Sequence, residues 1–363
     1  MQILTKTNFA SFETALKKRP EEIIKIVKGS GLSGRGGANF PTGLKWELTR
    51  KQRGERILIC NADEGEPGTF KDKFILDNNP ELLIEGITIA AYAMGTKQAY
   101  LYLRGEYAYL KKELERIIEG YKPQLKKINL KIDIFLGAGA YICGDETAIM
   151  NSIEGKRGEP RAKPPYPAEK GLFGLPTCIN NVETLANVPL IIHGDWKNLQ
   201  LFSLSGNVSA PGVYEFPFCV QAEELLGKDH PKALFFGCAG GCVPYSPKLR
   251  LDCQTITSKE AMLGSGAIIA VGKNGSIPKV CRNIAEFFVH ESCGYCSPCR
   301  EGNYRILEIL NKFVKKKAKK EDLEMLKDLA GLVKKTSFCG LGQSSTNHLL
   351  TALKYFPEEF RCK

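Results

Sequence analysis

The stretch "ESCGYCSPCREG" sets three cysteines, Cys293, Cys296 and Cys299, into one short turn of chain. C-x2-C-x2-C wraps a tight loop whose sulfurs converge on a point, so the surrounding fold must close around a metal centre. Three thiols cannot all pair as disulfides, and the total of 13 cysteines is odd. The remaining cysteines are scattered, without the regular framework of a secreted domain. A zinc ribbon usually presents two separated C-x2-C pairs. Three cysteines at this spacing plus a distant fourth is the pattern of a cubane [4Fe–4S] cluster. Cys339, in "TSFCGLGQSS", is the expected fourth ligand, because its flanking glycines let backbone come close to a cluster. Cys281 has the spacing of a buried helix face, and Cys362 lies beside the C-terminus. No second such run occurs, so one cluster is expected. Zinc stays open as the alternative that iron and acid-labile sulfide analysis separates.

The 363 residues, 43% of them hydrophobic, suffice for more than one core. No apolar run reaches the roughly eighteen residues of a membrane span, so direct membrane insertion is not expected. The opening "MQILTKTNFASFETALKKRP" lacks the apolar region and cleavage site of a signal peptide, which points to the cytoplasm. The formal charge is +11. Its densest run, "NKFVKKKAKK", is followed at once by "EDLEMLKDL". That reads as a helix end, a turn and an acid-first helix start, each suited to the helix dipole. Basic strands interleaved with aromatics are lacking, so no nucleic-acid partner is expected. His193, His230, His290 and His348 have no ligand spacing. Cys238 and Cys242, in "CAGGC", read as a structural turn, with a redox-sensitive thiol pair as the alternative.

Upstream, strand and helix patterns alternate. "PEEIIKIVKG" is a helix with proline in its first turn and Gly29 as its stop. "RILIC" is a buried strand that breaks into "NADEGEPG". "PELLIEGITIAAYAMG" is a helix, "QAYLYL" a strand, "EYAYLKKELERIIEGY" a helix from about Glu106, and "LKIDIFLG" a strand. "CGDETAIMNSIEG" and "NNVETLANVPLIIHG" are further helices. This order predicts βαβ units around a mostly parallel sheet. Short strands from about Leu201 predict a small α+β module, and the chain is helical from about Pro278. The expected domains are therefore 1–200, 201–277 and 278–363.

Two loops of the first domain carry the chemistry. "GLSGRGGANFPTGLKW" offers backbone N–H groups without obstruction by side chains, suited to a phosphate or a planar ring. It follows a helix, so it is neither a Walker loop nor a dinucleotide G-x-G-x-x-G in its usual setting. "NADEGEPG" gathers Asn61, Asp63, Glu64 and Glu66 at the end of a strand, where open α/β sheets bind ligands. These groups suit ribityl or ribose hydroxyls, or Mg2+; residue type alone does not choose.

Six stretches together resemble one family, the NADH-binding, FMN-containing flavoprotein subunit of respiratory complex I and its diaphorase relatives. They are "GLSGRGGANFPTGLKW", "CNADEGEPGTFKDK", "GAGAYICGDETAIMNSIEG", "PRAKPPYPAEKGLFGLPTCINNVETLANV", "ESCGYCSPCREG" and "FCGLGQ", in the family's order. The resemblance implies an α/β fold: a Rossmann-like FMN domain, a small ubiquitin-like β-grasp domain and a C-terminal helical bundle carrying a [4Fe–4S] cluster. It implies FMN contacts at Gly34, Gly36, Gly37, Lys45, Asn61, Asp63, Glu64, Gly144, Asp145, Glu146, Ile179, Asn180, Asn181 and Thr184. NADH would meet Phe40, Glu66, Tyr141, Glu146, Lys163 and Tyr166. The cluster ligands would be Cys293, Cys296, Cys299 and Cys339. Departures from the family pattern are Asn39 for a glycine, Asp145 for a glutamate, Tyr166 for a phenylalanine, Leu48 for an aromatic, and a short segment between about Leu201 and Gly272.

The activity implied is an NADH dehydrogenase, or diaphorase: hydride passes from NADH to FMN, then single electrons pass to the cluster and on to a partner. Glu66 and Glu146 would repel a 2′-phosphate, which favours NADH over NADPH. The implied partners are a thioredoxin-like [2Fe–2S] protein and further members of a redox complex, placing the chain peripherally on the inner membrane. The alternatives are the same module in a hydrogenase, formate dehydrogenase or electron-bifurcating complex, or a cluster-bearing conduit without nucleotide binding. Extra iron–sulfur domains of the bifurcating kind are not seen, which favours a minimal complex I-like module.

Overall fold

The computed structural model describes residues 1–362. It divides into two compact units, one of residues 1–65 and 70–201, the other of residues 66–69 and 202–363. The second sheet and the C-terminal helices thus share one unit, joined by a short piece of the acidic loop.

The first unit is built on four parallel strands: β1 (Ile57–Ala62), β2 (Gln98–Leu103), β3 (Lys131–Leu136) and β4 (Thr177–Asn181). Their order is β3-β2-β1-β4. β1 is buried along nearly its whole length, as expected of a parallel strand covered on both faces. The helix Pro80–Met94 lies buried almost throughout, opened by proline and closed by Gly95 at φ 72°. Within it, Gly86 allows a close approach; a Cβ there would collide with the carbonyl oxygen of Leu185. The sheet runs outward from β1 to β2 and β3, then returns to place β4 on the other side of β1. The crevice between the carboxyl ends of β1 and β4 is therefore the topological switch point, where such sheets bind ligands.

Several boundaries differ from the sequence reading for local reasons. The first long helix runs Pro20–Ser30, past Gly29, because the left-handed residue that ends it is Gly31 at φ 76°. The segment from Glu106 begins as a 3-10 turn, Gly105–Leu110, before the helix Lys111–Gly120. The stretch 143–155 is helical only over Ala148–Ile153, and a 3-10 turn, Tyr141–Gly144, precedes it. The helix expected after Asn181 is two, Val182–Ala186 and Val188–His193, interrupted at Asn187 where Pro189 follows without an N–H to give.

The second unit holds five strands: β5 (Leu199–Gly206, entering from the first unit), β6 (Gly212–Pro217), β7 (Ala233–Phe236), β8 (Cys242–Pro244) and β9 (Ala267–Val271). Their order is β6-β5-β9-β7-β8. β5 and β9 pair parallel and β7 pairs antiparallel with both β9 and β8. This mixed sheet encloses its own core, including Phe202, Leu234, Phe236 and Ile268. Cys238 and Cys242 flank the tight turn between β7 and β8, and both are buried. Four longer helices follow: Ile277–Glu291, Ser297–Val314, Lys320–Thr336 and Asn347–Tyr355. The basic run falls at the turn between the second and third, where Lys312 pairs with Asp322 at 2.6 Å. Asp322 also accepts from the Lys319 N–H, so the acid caps the next helix as its position predicts.

Candidate flavin and iron–sulfur sites

In the first unit the residues of four separate stretches meet at the switch point. Asn61 on β1 stands opposite Asn181 on β4 in the parallel register. Asn61 Nδ2 donates to the Gly144 carbonyl at 2.9 Å, and its Oδ1 accepts from the Asp63 N–H at 2.9 Å. One amide thus binds the acidic loop to the Gly137–Gly155 stretch. The glycine loop closes on itself through Gly34 N–H to the Phe40 carbonyl at 2.9 Å. It is fastened to the helix Val182–Ala186, which follows β4, by Arg35 N–H donating to Thr184 Oγ1 at 2.9 Å. Asn39 takes φ 53°, the left-handed conformation that a glycine would supply and that asparagine tolerates. That departure from the family pattern preserves the loop's backbone.

The geometry suits a flat, polar, phosphate-bearing cofactor. A Cβ on Gly36 would stand 3.3 Å from the Asn181 side chain, and one on Gly144 3.4 Å from the Asp63 carbonyl. Bare backbone at these points leaves a cradle floored by amide groups. Lys45 reaches across it, donating to the Ile179 carbonyl at 3.2 Å and pairing with Glu146 at 3.5 Å. Glu146 also pairs with Lys163. Burial alone would raise the Glu146 carboxyl, but Lys45 and Lys163 outweigh it and hold it below the ordinary carboxylate range. Phe40 and Tyr166 are exposed, at 42% and 56%, as rings awaiting a stacking partner would be. Asp145 is occupied locally: it accepts from Thr147 N–H at 2.8 Å and Ala148 N–H at 3.1 Å, capping the short helix. A cleft of about 610 Å3 opens beside the proline-rich loop, lined by Arg161, Pro165, Lys170 and Phe173 among others. None of its lining residues is an expected flavin contact.

Glu66 lies in the second unit, apart from the other acids of its loop. Its carboxylate accepts from the N–H groups of Cys238 and Ala239 at 3.1 and 3.2 Å and from Ser265 Oγ at 2.8 Å. It clasps the β7–β8 turn that "CAGGC" forms.

Sequence reading missed a second layer beneath the cradle. Trp46 is fully buried and donates its indole N–H to Asn180 Oδ1 at 2.9 Å. Lys71, Asp72 and Glu183 are buried as well, although a lysine and two acids read as solvated. Glu64 accepts from the N–H groups of Asp72 and Lys73 at 2.7 and 2.9 Å. Burial, then the charge of Asp72, pushes its carboxyl up to about 7.

The cysteine loop joins the helices Ile277–Glu291 and Ser297–Val314. Gly294 at φ 77° makes the turn, and Cys299 enters the first turn of the second helix, where it is buried. Cys339 opens the short helix Gly340–Ser344. The two segments touch: the Phe338 N–H points at Cys296 Sγ at 3.5 Å, and a Cβ on Gly342 would lie 3.1 Å from the Cys299 Cβ. Tyr295 and Phe338 cover the junction with ring centroids 5.0 Å apart. Ser292 Oγ and Asn303 Nδ2 stand 3.4 and 3.5 Å from Cys299 Sγ, as donors to a thiolate would. Burial, with the neighbouring Cys296 and Cys293, pushes the Cys299 thiol up, and a metal bound there would take it as the thiolate. Among the described residues no three Cys, His, Asp or Glu side chains gather as tightly as one ion demands. A cubane distributes its thiolates over separate iron corners, which suits a looser set. Cys281 faces elsewhere, its thiol 3.8 Å from the His348 carbonyl in a buried interior.

A parallel sheet with a glycine cradle at its switch point, and a helical segment that brings the Cys339 turn against the Cys296 and Cys299 loop, are the parts of a two-centre flavin and iron–sulfur protein. Residues 27–190 match the Nuo51 FMN-binding domain, and residues 279–363 match the NADH-ubiquinone oxidoreductase-F iron-sulfur binding region. The chain is 42% identical to the NADH-quinone oxidoreductase F-type subunit of Aquifex aeolicus, over 99% of this chain and 90% of that one. It is 39% identical to the NAD-reducing hydrogenase HoxS subunit alpha of Cupriavidus necator, over 97% of this chain but 62% of that one. A solved NAD+-reducing [NiFe]-hydrogenase in the H2-reduced state superposes with a TM-score of 0.91 at 37% identity; the match covers 98% of this chain and 64% of that one. The chain belongs to the family of the NADH-quinone oxidoreductase F-type subunit, and its cofactors are FMN and a [4Fe–4S] cluster.

Proposed function

We propose that this chain is the NADH-oxidising module of a multi-subunit redox complex. When bound, FMN supplies the chemistry that accepts a hydride from NADH and passes single electrons on through the [4Fe–4S] cluster. The chain's own part is to hold and orient. Asn61, Asn180, Asn181 and Thr184, tied to the glycine loop at Gly34, Gly36 and Gly37, hold the flavin's polar edges. Asp63, Glu64, Gly144, Asp145 and Ile179 complete the assigned contacts. Lys45 holds positive charge beside the Ile179 carbonyl and keeps Glu146 ionised. Phe40, Tyr141 and Tyr166 offer rings for the nicotinamide nucleotide, and Glu146 with Lys163 offers a polar clamp. An ionised Glu146 repels a 2′-phosphate, so NADH is favoured over NADPH. Glu66 is assigned to NADH by the resemblance alone; its carboxylate here holds the β7–β8 turn. Cys293, Cys296, Cys299 and Cys339 are the assigned cluster ligands.

The single observation carrying this reading is the union of four sequence-distant stretches at the switch point between β1 and β4. The assigned partner is a thioredoxin-like [2Fe–2S] protein. No helix among the described residues is long and apolar enough to cross a membrane, which suits a peripheral arm reaching the inner membrane through other members of the complex. The parent complex is read as complex I-like; a hydrogenase is the second reading, favoured by the structural match at 0.91. The contact assignments are tested by Asn181→Ala, which loses hydrogen bonds at the cradle and should weaken FMN binding at least tenfold. Recovery of flavin fluorescence on dilution measures it; unchanged affinity would remove Asn181 from the site.

A further inference from the structure

Beneath the flavin cradle lies a charged hub that no residue pattern announced. Lys71 is fully buried. Its Nζ lies 2.7 Å from Asp72 Oδ1, 2.9 Å from Glu183 Oε2 and 3.4 Å from Asn181 Oδ1. Asp72 Oδ2 in turn accepts from Asn181 Nδ2 at 2.6 Å. Both ends of the Asn181 amide are thus fixed by one ion pair, which also sets which end is oxygen. The N–H groups that orient Glu64 belong to Asp72 and Lys73, in the same helical turn. Glu183, at the other side, accepts from the Leu201 N–H at 2.9 Å and anchors Lys71 to the start of β5.

We propose that Lys71 is a positioning residue for the flavin, and that the charge balance of the Lys71–Asp72–Glu183 hub sets the reduction potential of bound FMN. This rests on the assignment of Asn181 and Glu64 as flavin contacts. The chemistry is electrostatic. Reducing FMN adds negative charge to its ring, and charges fixed nearby in a water-poor interior act on it with little screening. One buried cation here faces the carboxylates of Asp72, Glu183 and Glu64. Burial would lower the Lys71 pKa, but those acids outweigh it and leave it above the ordinary lysine value, so the cation persists at every working pH. Loss of the cation leaves acids that oppose reduction; loss of an acid relieves that opposition. Desolvated ion pairs are weak sources of stability, because the cost of burying them rivals their attraction. Stability alone therefore does not account for charges buried at this position, whereas a role toward the cofactor does.

The test uses the full chain loaded with FMN and cluster, with Lys71→Met and Asp72→Asn compared by redox titration and by FMN affinity. Lys71→Met should lower the flavin midpoint potential and raise the FMN dissociation constant about tenfold, since Asn181 loses its anchor. Asp72→Asn keeps the acceptor for Asn181 and should raise the potential. A residue that served packing alone would shift both variants alike or neither, and either result overturns the proposal. Should Lys71→Met fail to fold, Asp72→Asn and Glu183→Gln carry the test: both must raise the potential, and an unchanged value overturns it. If Asn181→Ala binds FMN as tightly as the unsubstituted chain, the contact assignment fails. If Asn181→Ala weakens binding while the hub variants leave the potential unmoved, only the hub's role fails.

Discussion

Cys339→Ser is expected to remove the [4Fe–4S] cluster while FMN stays bound. Serine preserves the shape at the start of the Gly340–Ser344 helix, so the local backbone has no reason to rearrange. What changes is the donor: a hydroxyl is harder and far less acidic than a thiol, and iron–sulfur clusters are held by thiolates. The Phe338 N–H near Cys296 and the tight packing of Gly342 on Cys299 place this residue against the three-cysteine loop. Iron and sulfide content should fall to near zero, with loss of the broad visible absorbance and the reduced-state EPR signal. Because metal affinity contributes directly to folding, heat should unfold the helical segment of Cys339→Ser at a lower temperature. FMN content should be unchanged, since every assigned flavin contact lies in residues 1–65 and 70–201. Cys281→Ser serves as the contrast, because that thiol is buried against the His348 carbonyl and should leave the iron content intact. A Cys339→Ser protein with full iron and sulfide would show the fourth ligand to be elsewhere.

The second large effect is acid instability governed by His348. Its ring is fully buried, stacked on Phe288 at 6.3 Å between centroids. Burial pushes its imidazole down to about 3 from an ordinary value of 6.5. Below pH 6.5 the unfolded chain takes up a proton that the native ring refuses, so the unfolded state gains. The stabilising contribution is complete above pH 6.5 and is lost as pH falls toward about 3, worth about 5 kcal/mol in all. Glu64 runs the other way. Its carboxyl titrates near 7 rather than 4.5, so its contribution is present below 4.5 and fades as pH rises to about 7. The two groups belong to different units, so the acid limb of the second unit reports His348 alone of the pair. His348→Phe, a ring of similar shape that does not titrate, should flatten the loss of stability between pH 6 and 4. Urea unfolding followed by a probe in the C-terminal helices measures this. An unaltered pH slope would mean that the native ring already accepts a proton.

Much of the site was legible because glycines and amides have few uses at a strand end. The strand reading of "QAYLYL" matches the bounds of β2, and the apolar run before the Asn61–Glu64 loop places that loop at a strand end. The cysteine spacing located its own loop. What escaped were features whose partners lie far along the chain. Lys71 looks like a surface lysine, since Asn181, which it meets, is 110 residues away. Glu66 reads with its neighbours Asp63 and Glu64, yet it leaves them to hold a turn that begins at Cys238. Helix ends failed where two glycines competed: only the backbone angle shows that Gly31, not Gly29, stops the first long helix. Asn39 shows the converse, a departure from pattern that keeps the required conformation.

The central claim is that this chain takes electrons in pairs from NADH and releases them singly through its cluster. Anaerobic addition of NADH to the FMN- and cluster-loaded protein tests it most directly, with flavin absorbance and the cluster EPR signal followed together. The account predicts prompt bleaching of the flavin band and the appearance of a reduced [4Fe–4S] signal, both weaker with NADPH at equal concentration. A flavin that stays oxidised under excess NADH, beside an intact cluster, would contradict it.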